Sequence, residues 1–212
     1  MKVSIIDYGM GNIFSVSRAL EYNGAEVRLT SDPHEIQNSD RLVLPGVGAF
    51  KDGMQELKHR GLVDSIREFA LKERPFLGIC LGMQMMFDYS EEFGCNDGLG
   101  IIAGNVKLIP NINETGQKIK IPHIGWNELM LPVGRHSWDN TILENTLQRS
   151  FVYFVHSYTA QPVDNSHRLA DCYYHGQLIS AAVQQNYAFG CQFHPEKSGE
   201  IGLNIIKNFF SL

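Results

Sequence analysis

The first 80 residues alternate short apolar runs with segments of helical spacing, which limits the chain to one class of fold. Strands are predicted at residues 2–7, 25–29, 41–44 and 76–79. Helices are predicted at residues 12–22, 50–59 and 62–71. Strands that alternate with helices of about 10–15 residues are typical of right-handed βαβ units. We therefore predict an α/β fold with a mostly parallel central sheet flanked by helices.

The pattern changes after residue 98, where strand-like segments follow one another with little helical spacing between them. These segments cover residues 104–109, 151–155, 169–174, 178–183 and 188–192. Residues 201–210 then close the chain as an amphipathic helix. We expect additional antiparallel strands in this half, extending or backing the same sheet. No repeat or linker is visible, so residues 1–212 are expected to form a single domain.

Composition argues against several classes of partner. The formal net charge is −5 and no run of lysine or arginine occurs, which disfavours nucleic acid and anionic membrane surfaces. No apolar stretch approaches the roughly 20 residues that cross a bilayer. The N-terminal segment is typical of a first strand rather than a signal peptide, so a cytoplasmic location is expected.

The four cysteines are widely spaced and form no C-x-x-C pair. We therefore expect neither a structural zinc site nor a disulfide framework, and we expect the thiols to be reduced. No metal or cofactor is expected elsewhere in the chain. Free cysteines are usually small buried hydrophobes, and this is the expectation for Cys95, Cys172 and Cys191.

Cys80 has neighbours that favour a different role. The segment Gly78-Ile79-Cys80-Leu81-Gly82 has the form G-x-C-x-G, the cysteine counterpart of the nucleophile elbow, a sharp turn from a strand into a helix. The N-terminus of that helix can stabilise a thiolate, and the Leu81 N–H can stabilise an oxyanion. By itself the pattern fits a buried cysteine between packing glycines equally well.

A thiolate nucleophile needs a base and a group that orients the base. His194 and Glu196 follow a predicted strand in the segment CQFHPE. His194 and Glu196 are two residues apart, so in an extended chain their side chains can project to the same side. We therefore predict that His194 takes and returns the proton while Glu196 fixes its tautomer.

A glycine-rich loop, PGVG, follows the third predicted strand. In the elbow arrangement the second oxyanion donor comes from another strand–helix loop, and Gly46, Val47 and Gly48 stand where that loop is expected. A plain Pro-Gly turn is the alternative.

The segments GICLGMQ and QFHPE together resemble the class I, triad-type glutamine amidotransferase domain, in order and in spacing. The resemblance implies that fold, with Cys80 as nucleophile, His194 as base and acid, and Glu196 as orienting carboxylate. It implies glutamine as substrate, a γ-glutamyl thioester, and release of ammonia and glutamate. It also places Gln84 and Gly48 at the bound glutamine, and makes PGVG the oxyanion strand.

Four further segments, DYGMGN, PGVGAF, PHIGWN and YFVHSY, resemble the glutaminase subunit of imidazole glycerol phosphate synthase, an enzyme of histidine biosynthesis. The resemblance implies a heterodimer with a (β/α)₈ barrel cyclase that uses the ammonia to form imidazole glycerol phosphate and aminoimidazole carboxamide ribotide. It places Asn12 and Trp126 at the partner interface. The residues around Trp126 by themselves predict a loop. It places His156, Ser157 and Tyr158 against the bound glutamine. From its residue type alone, Trp126 could equally be a core aromatic.

Two alternatives stay open. Residues 92–98, EFGCNDG, and the tail KSGEIGLNIIKNFF resemble duplicated versions of this subunit that supply ammonia for sugar amidation in surface polysaccharide synthesis. The other alternative is a cysteine hydrolase, or a relative that keeps the elbow and binds without turnover. The intact H-P-E and the Gly-Met-Gln segment weigh against it.

Overall fold

The computed structural model describes residues 2–113 and 116–212. Within these residues the strands, in chain order, are β1 (Lys2–Ile6), β2 (Glu26–Thr30), β3 (Leu42–Gly46), β4 (Phe76–Cys80), β5 (Phe87–Ser90), β6 (Asn96–Asp97), β7 (Ile102–Leu108), β8 (His123–Glu128), β9 (Phe151–His156), β10 (Tyr158–Pro162), β11 (Arg168–Tyr174), β12 (Gln177–Gln185) and β13 (Ala188–Cys191). The helices are α1 (Ile13–Tyr22), α2 (Pro33–Gln37), α3 (Phe50–His59), α4 (Val63–Ala70), α5 (Leu81–Met85) and α6 (Gly199–Ser211), with short 3₁₀ turns at Asn165–His167 and Pro195–Lys197.

A seven-stranded sheet has the order β11-β12-β13-β4-β3-β1-β2. From β13 to β2 every neighbouring pair is parallel, whereas β12 and β11 join the β13 edge as antiparallel strands. A four-stranded sheet, β10-β7-β5-β6, and the antiparallel ribbon β8-β9 complete the strands. The α/β class, the mostly parallel sheet and the additional antiparallel strands are therefore confirmed.

Buried side chains pack on both faces of the central sheet, and successive residues of its strands alternate between them. On β3, Val43 packs into one apolar cluster while Leu42 and Leu44 pack into the other. The first cluster includes Val16 of α1 and much of α6, and the second includes Leu57 of α3. Because apolar clusters cover both faces of the sheet, the side chains on both faces are buried. This explains why the central strands are continuous apolar runs.

Local signals account for the helix boundaries. The Asp32 carboxylate accepts a hydrogen bond from the His34 N–H at 2.8 Å, and Pro33 occupies the first turn, which together start α2. Helix α1 is followed by Gly24, whose φ of 86° is readily adopted only by glycine. None of the helices in the described part of the chain is long and apolar enough to cross a membrane.

Two expectations were wrong. The segment that carries Trp126 is strand β8 rather than a loop, since residues 123–128 pair with β9 along their whole length. Cys95 is exposed, in the turn between β5 and β6, whereas Cys172 and Cys191 are buried as expected. The short elements α2, β5, β6 and β10 had no counterpart in the prediction.

The sheet brings distant segments to one edge. Gly46 at the end of β3 is paired with Cys80 at the end of β4, and Cys191 at the end of β13 is paired with Ile79. Because the carboxyl ends of neighbouring parallel strands meet, the loops that follow β3, β4 and β13 lie around the same point, as ligand sites in open α/β sheets do.

Candidate active site

Cys80 occupies a strained turn between β4 and α5. Its φ is 55° and its ψ is −108°, a combination that L-residues rarely adopt. A Cβ on Gly82 would collide with the Leu44 carbonyl oxygen, and one on Gly78 would lie 2.8 Å from the Met83 nitrogen. Only glycine therefore fits on either side of the cysteine, which is the structural reason for the G-x-C-x-G pattern.

His194 and Glu196 form a buried pair beside this turn. His194 Nδ1 lies 2.7 Å from Glu196 Oε1, and the Glu196 side chain is 0% exposed. The backbone that carries them is also held, because the His194 N–H donates to the Tyr153 carbonyl at 2.9 Å and the Ser198 hydroxyl donates to the His194 carbonyl at 2.7 Å. With its position fixed at both ends, the imidazole has little freedom to turn away.

Cys80 and Glu196 determine the charge of His194. Burial by itself lowers the pKa of His194, but hydrogen bonding to the Cys80 sulfur and to Glu196, together with their negative charges, raises that pKa to about 9. Among the described residues the buried Nε2 atom makes no hydrogen bond of normal geometry, so it stays available to the sulfur and to the substrate. With a pKa of about 9, the imidazole is protonated at neutral pH.

A cavity of about 400 Å³ opens in front of the cysteine. It is lined by Val47, Gly48, Cys80, Leu81, Gln84, Glu92, Pro122, Val155, His156, Ser157, Tyr158 and His194. Of the residues predicted for catalysis, the oxyanion hole and the substrate, all line it except Gly46 and Glu196. Glu196 lies behind His194, and Gly46 ends β3 against Leu81 and Gly82. The structure thus unites residues that are widely separated in sequence.

The loop after β3 is fixed at its base and open at its tip. The buried Tyr8 hydroxyl donates to the Pro45 carbonyl at 2.9 Å, and burial with the nearby Cys80 raises the pKa of Tyr8. Val47 is exposed, and Gly48 has a φ of 105°. The loop therefore presents its backbone to the cavity with few side-chain contacts to hold it.

The comparisons with known proteins agree with this geometry. The sequence model described as Glutamine amidotransferase class-I matches residues 4–212. The chain belongs to the class-I glutamine amidotransferase family. It is 54% identical over 210 residues to imidazole glycerol phosphate synthase subunit HisH 1 of Legionella pneumophila (strain Lens), covering 99% of both chains. It is 45% identical to subunit HisH of Geobacillus sp. (strain WCH70), covering 99% of this chain and 96% of that one.

Solved structures support the class-I amidotransferase fold. PurLQS from Thermotoga maritima superimposes with a TM-score of 0.71 at 17% identity, covering 99% of this chain and 97% of the other. The glutaminase domain of Trypanosoma brucei CTPS with bound acivicin gives 0.63 at 16% identity, covering 100% and 94%. At these identities the likeness concerns the fold alone. The predicted class I amidotransferase fold and the HisH family are thus confirmed.

One cavity residue of this amidotransferase was missed from the sequence. Glu92 lines the cavity, and its Oε2 accepts a hydrogen bond from the Phe50 N–H at 2.6 Å. Burial raises the pKa of Glu92, the bond from Phe50 opposes this, and the charge of Asp52 adds to it. Glu92 is the second residue after β5, a strand that was not predicted, so no local pattern marked it in the sequence.

The amidotransferase also carries two buried histidines at the side of the cavity. His156 Nδ1 donates to the Tyr158 carbonyl at 2.8 Å, so its Nε2 must accept from His123 Nδ1 at 2.9 Å. Burial lowers the pKa of His156 to about 3 and that of His123 to about 4, so both rings are neutral at neutral pH. His123 is also held by stacking on Phe154 and Tyr174.

The two residues predicted for a partner interface lie outside the cavity. Trp126 is 54% exposed on β8, where it pairs with Tyr153 of β9 and packs edge-on against its ring at 6.1 Å. A core role for Trp126 is therefore wrong. Asn12 precedes α1 and makes no capping hydrogen bond with its side chain.

Proposed function

We propose that this chain hydrolyses L-glutamine to glutamate and ammonia through a thioester on Cys80. The observation that carries the proposal is the strained cysteine turned toward a cavity with the buried His194–Glu196 pair beside it. A cysteine paired with a protonated imidazole is a thiolate ready to attack, and the same imidazole holds the proton that the leaving group needs.

In the first half of the reaction, the Cys80 sulfur attacks the side-chain carbonyl carbon of glutamine. The Leu81 N–H, first in α5, and the backbone of Gly46, Val47 and Gly48 are the candidate donors to the oxyanion. As the carbon–nitrogen bond breaks, His194 gives its proton to the departing nitrogen, which leaves as ammonia. In the second half, His194 takes a proton from water, the hydroxide breaks the thioester, and the sulfur regains its electron pair.

Recognition of the α-amino group is assigned to Glu92 and Gln84. Both side-chain N–H groups of Gln84 are already used, one by the Tyr158 carbonyl at 3.1 Å and one by Gln192 Oε1 at 2.9 Å. Gln84 can therefore offer only its carbonyl oxygen, an acceptor, to the ligand. Glu92 supplies a carboxylate to the same cavity. Two acceptors suit an ammonium group, and His156, Ser157 and Tyr158 add backbone and side-chain contacts around the substrate.

We further propose that the ammonia passes to a separate (β/α)₈ barrel cyclase in a heterodimer that makes imidazole glycerol phosphate and aminoimidazole carboxamide ribotide for histidine biosynthesis. Full-length similarity to subunits named HisH supports this. One family model over residues 4–212 supports a single domain. Four free cysteines fit the reducing cytoplasm.

The ribbon of β8 and β9 is the proposed docking surface. Its outward residues alternate with buried ones, and Ile124, Trp126, Phe151 and Tyr153 give it an apolar character. Val155 of the same ribbon lines the glutamine cavity. A partner seated on this ribbon would lie close to the point where ammonia is released, and Asn12 is proposed as a second contact.

The test is glutamine hydrolysis by the purified chain, alone and with the cyclase and its acceptor. We expect weak activity alone and a strong rise with the partner. Cys80→Ala should abolish hydrolysis but leave glutamine binding and ammonia-dependent synthesis by the complex intact. The matched control is Cys95→Ala, which removes an exposed thiol. Full activity without any partner, or hydrolysis by Cys80→Ala, would refute the proposal.

The same assay addresses the remaining alternatives. Stimulation by a sugar-amidating synthase, and none by the cyclase, would support the surface-polysaccharide function instead. The catalytic residues would be the same in both cases, because only the acceptor differs. Peptide cleavage without glutaminase activity would support a cysteine hydrolase.

A further inference from the structure

Gln192 is a buried polar residue beside the nucleophile that takes no part in the mechanism proposed above. It follows β13 directly, and its backbone N–H donates to the Ala181 carbonyl at 2.9 Å. Its side chain is 0% exposed, and its amide Nε2 lies 3.8 Å from the Cys80 sulfur, within reach of a sulfur hydrogen bond. Because an amide has a donor end and an acceptor end, its effect on Cys80 depends on which end faces the sulfur.

Neighbouring groups fix the direction of that amide. The Tyr158 carbonyl can only accept, so the group of Gln84 that lies 3.1 Å from it must be the nitrogen. The second hydrogen of the same nitrogen is directed at Gln192, at 2.9 Å, which must therefore offer its oxygen. The nitrogen of Gln192 is then the group that faces Cys80. The Tyr158 backbone carbonyl therefore determines, through Gln84, that Gln192 presents a donor to Cys80.

That backbone carbonyl is itself held in place. The Tyr158 oxygen accepts from His156 Nδ1 at 2.8 Å as well as from Gln84. His156 is in turn bound to His123 at 2.9 Å. Both lone pairs of the Tyr158 carbonyl oxygen accept from buried donors, which fixes the carbonyl in place. The orientations of the Gln84 and Gln192 side chains are fixed with it.

The Cys80 sulfur has both an amide donor and a carbonyl acceptor nearby. The Val155 carbonyl lies 4.0 Å from the sulfur, and a carbonyl oxygen can accept from a thiol but repels a thiolate. The Gln192 N–H, whose nitrogen is 3.8 Å from the sulfur, favours the thiolate. His194 is a second donor to the sulfur. Gln192 and His194 therefore stabilise the thiolate, and the Val155 carbonyl opposes it.

We propose that Gln192 is a further catalytic residue of this site, whose side-chain N–H binds the Cys80 thiolate and holds it in the attacking position. The inference rests on the proposed glutaminase function. When the thioester carbon–sulfur bond breaks, its electron pair returns to the sulfur, and the Gln192 N–H stabilises the charge that develops there. The water that attacks has given its proton to His194, so no other reactant is required.

The variant that tests this is Gln192→Met, which keeps the length of the side chain and removes the donor. We expect kcat for glutamine to fall about 10- to 100-fold, the range for losing one hydrogen bond to a charged group, with KM changed less than about 3-fold. The rate at which iodoacetamide alkylates Cys80 should also fall. Measuring alkylation in a Cys95→Ala background removes the exposed thiol, and Cys172 and Cys191 are buried.

Gln184→Met is the matched control. Gln184 lies on the neighbouring strand β12, its amide donates to the Asn186 carbonyl at 3.3 Å, and it does not line the cavity. Its kinetics and alkylation rate should equal those of the wild type. If Gln192→Met does not fold, Gln192→Asn, whose amide is one carbon too short to reach the sulfur, should show the same losses.

A measurement on the unsubstituted side chain completes the test. Alkylation of Cys80 should shift the side-chain amide resonances of Gln192 in an NMR spectrum and leave those of Gln184 in place. Unmoved Gln192 resonances, or a folded Gln192→Met that alkylates and turns over within about twofold of the wild type, would overturn the inference, since even a weak hydrogen bond changes rates by more. An inactive wild-type chain would instead refute the proposed function, because alkylation and NMR require no turnover.

Discussion

Gly46 and Cys80 are paired residues at the carboxyl ends of two adjacent parallel strands, β3 and β4. The pairing places the glycine loop beside the nucleophile without any contact between side chains. A Cβ on Gly46 would lie 2.6 Å from the Tyr8 hydroxyl and 2.9 Å from the Gly82 nitrogen. The sheet thus positions the backbone of the loop that is proposed to bind the oxyanion.

His194→Ala should lower kcat for glutamine by at least about 10³-fold, because it removes both the base and the proton for the leaving nitrogen. Glu196→Gln should cost less, since the amide oxygen can still accept from Nδ1 while the balancing charge is lost. Steady-state kinetics of the complex with ammonia-dependent synthesis as an internal control would measure both. Equal losses from the two variants would show that Glu196 does more than orient the ring.

Gly48→Ala should lower turnover more than stability. Its φ of 105° is strained for alanine, but the new Cβ meets only the flexible end of Met10 at 3.0 Å. We expect the free energy of unfolding to fall by about 1 kcal/mol, and kcat to fall about 10-fold or more as the loop backbone shifts. Gly61→Ala is the control, with a φ of 67° and open space around its Cβ. A kcat for Gly48→Ala equal to that of Gly61→Ala would exclude the loop from oxyanion binding.

Acid should destabilise the fold through His123 and His156. Their folded pKa values, about 4 and about 3, lie below the value near 6.5 of an unfolded histidine, so the unfolded chain binds protons first. Their contribution is present above pH of about 6.5 and is lost as the pH falls to about 4 for His123 and about 3 for His156, at up to about 1.4 kcal/mol per pH unit for each ring.

Urea unfolding at a series of pH values would measure this slope. His123→Gln should flatten it by the share of one ring between pH of about 6 and 4. His59→Gln, at an exposed position, is the control and should leave the slope unchanged. An identical slope in wild type and His123→Gln would mean that His123 is already protonated in the folded protein.

Trp126→Ala should weaken binding to the cyclase without weakening the fold. The ring is half exposed and packs edge-on against Tyr153, so its loss removes little core packing. An anchoring tryptophan at an interface is worth about 2 kcal/mol or more, which is roughly a 30-fold change in Kd. Calorimetric titration would measure it, with Phe93→Ala, another exposed aromatic, as the control. Unchanged affinity would place the docking surface elsewhere.

The parallel part of the fold could be predicted because its strands are buried on both faces and its helices are amphipathic. Helix α3 was predicted with its observed bounds, and β4 and α1 to within one residue. Strand β8 could not be predicted from the sequence, because Gly125 and the polar Asn127 interrupt its apolar pattern. Its pairing with β9 is a tertiary contact that leaves no local signal. Strands β5 and β6 are four and two residues long, too short for a periodic signal.

The sequence pointed to Cys80, His194 and Glu196, the three residues proposed for catalysis, because strained turns and strand ends limit which residue types fit. The G-x-C-x-G spacing reflects contacts that exclude any Cβ at Gly78 and Gly82. Gln192 and Glu92 were missed for the opposite reason. A single glutamine or glutamate has no local pattern, and its importance lies in a neighbour more than a hundred residues away or on another loop.

Strand β13 lies between β4 and β12 in the sheet, yet it follows both of them in the chain. During synthesis on the ribosome, the sheet around Cys80 cannot close until β13 has been added. His194 and Glu196 come after β13, so the imidazole and the carboxylate arrive together with the strand that completes the sheet. A nascent chain that stops short of β13 should therefore be unable to release ammonia.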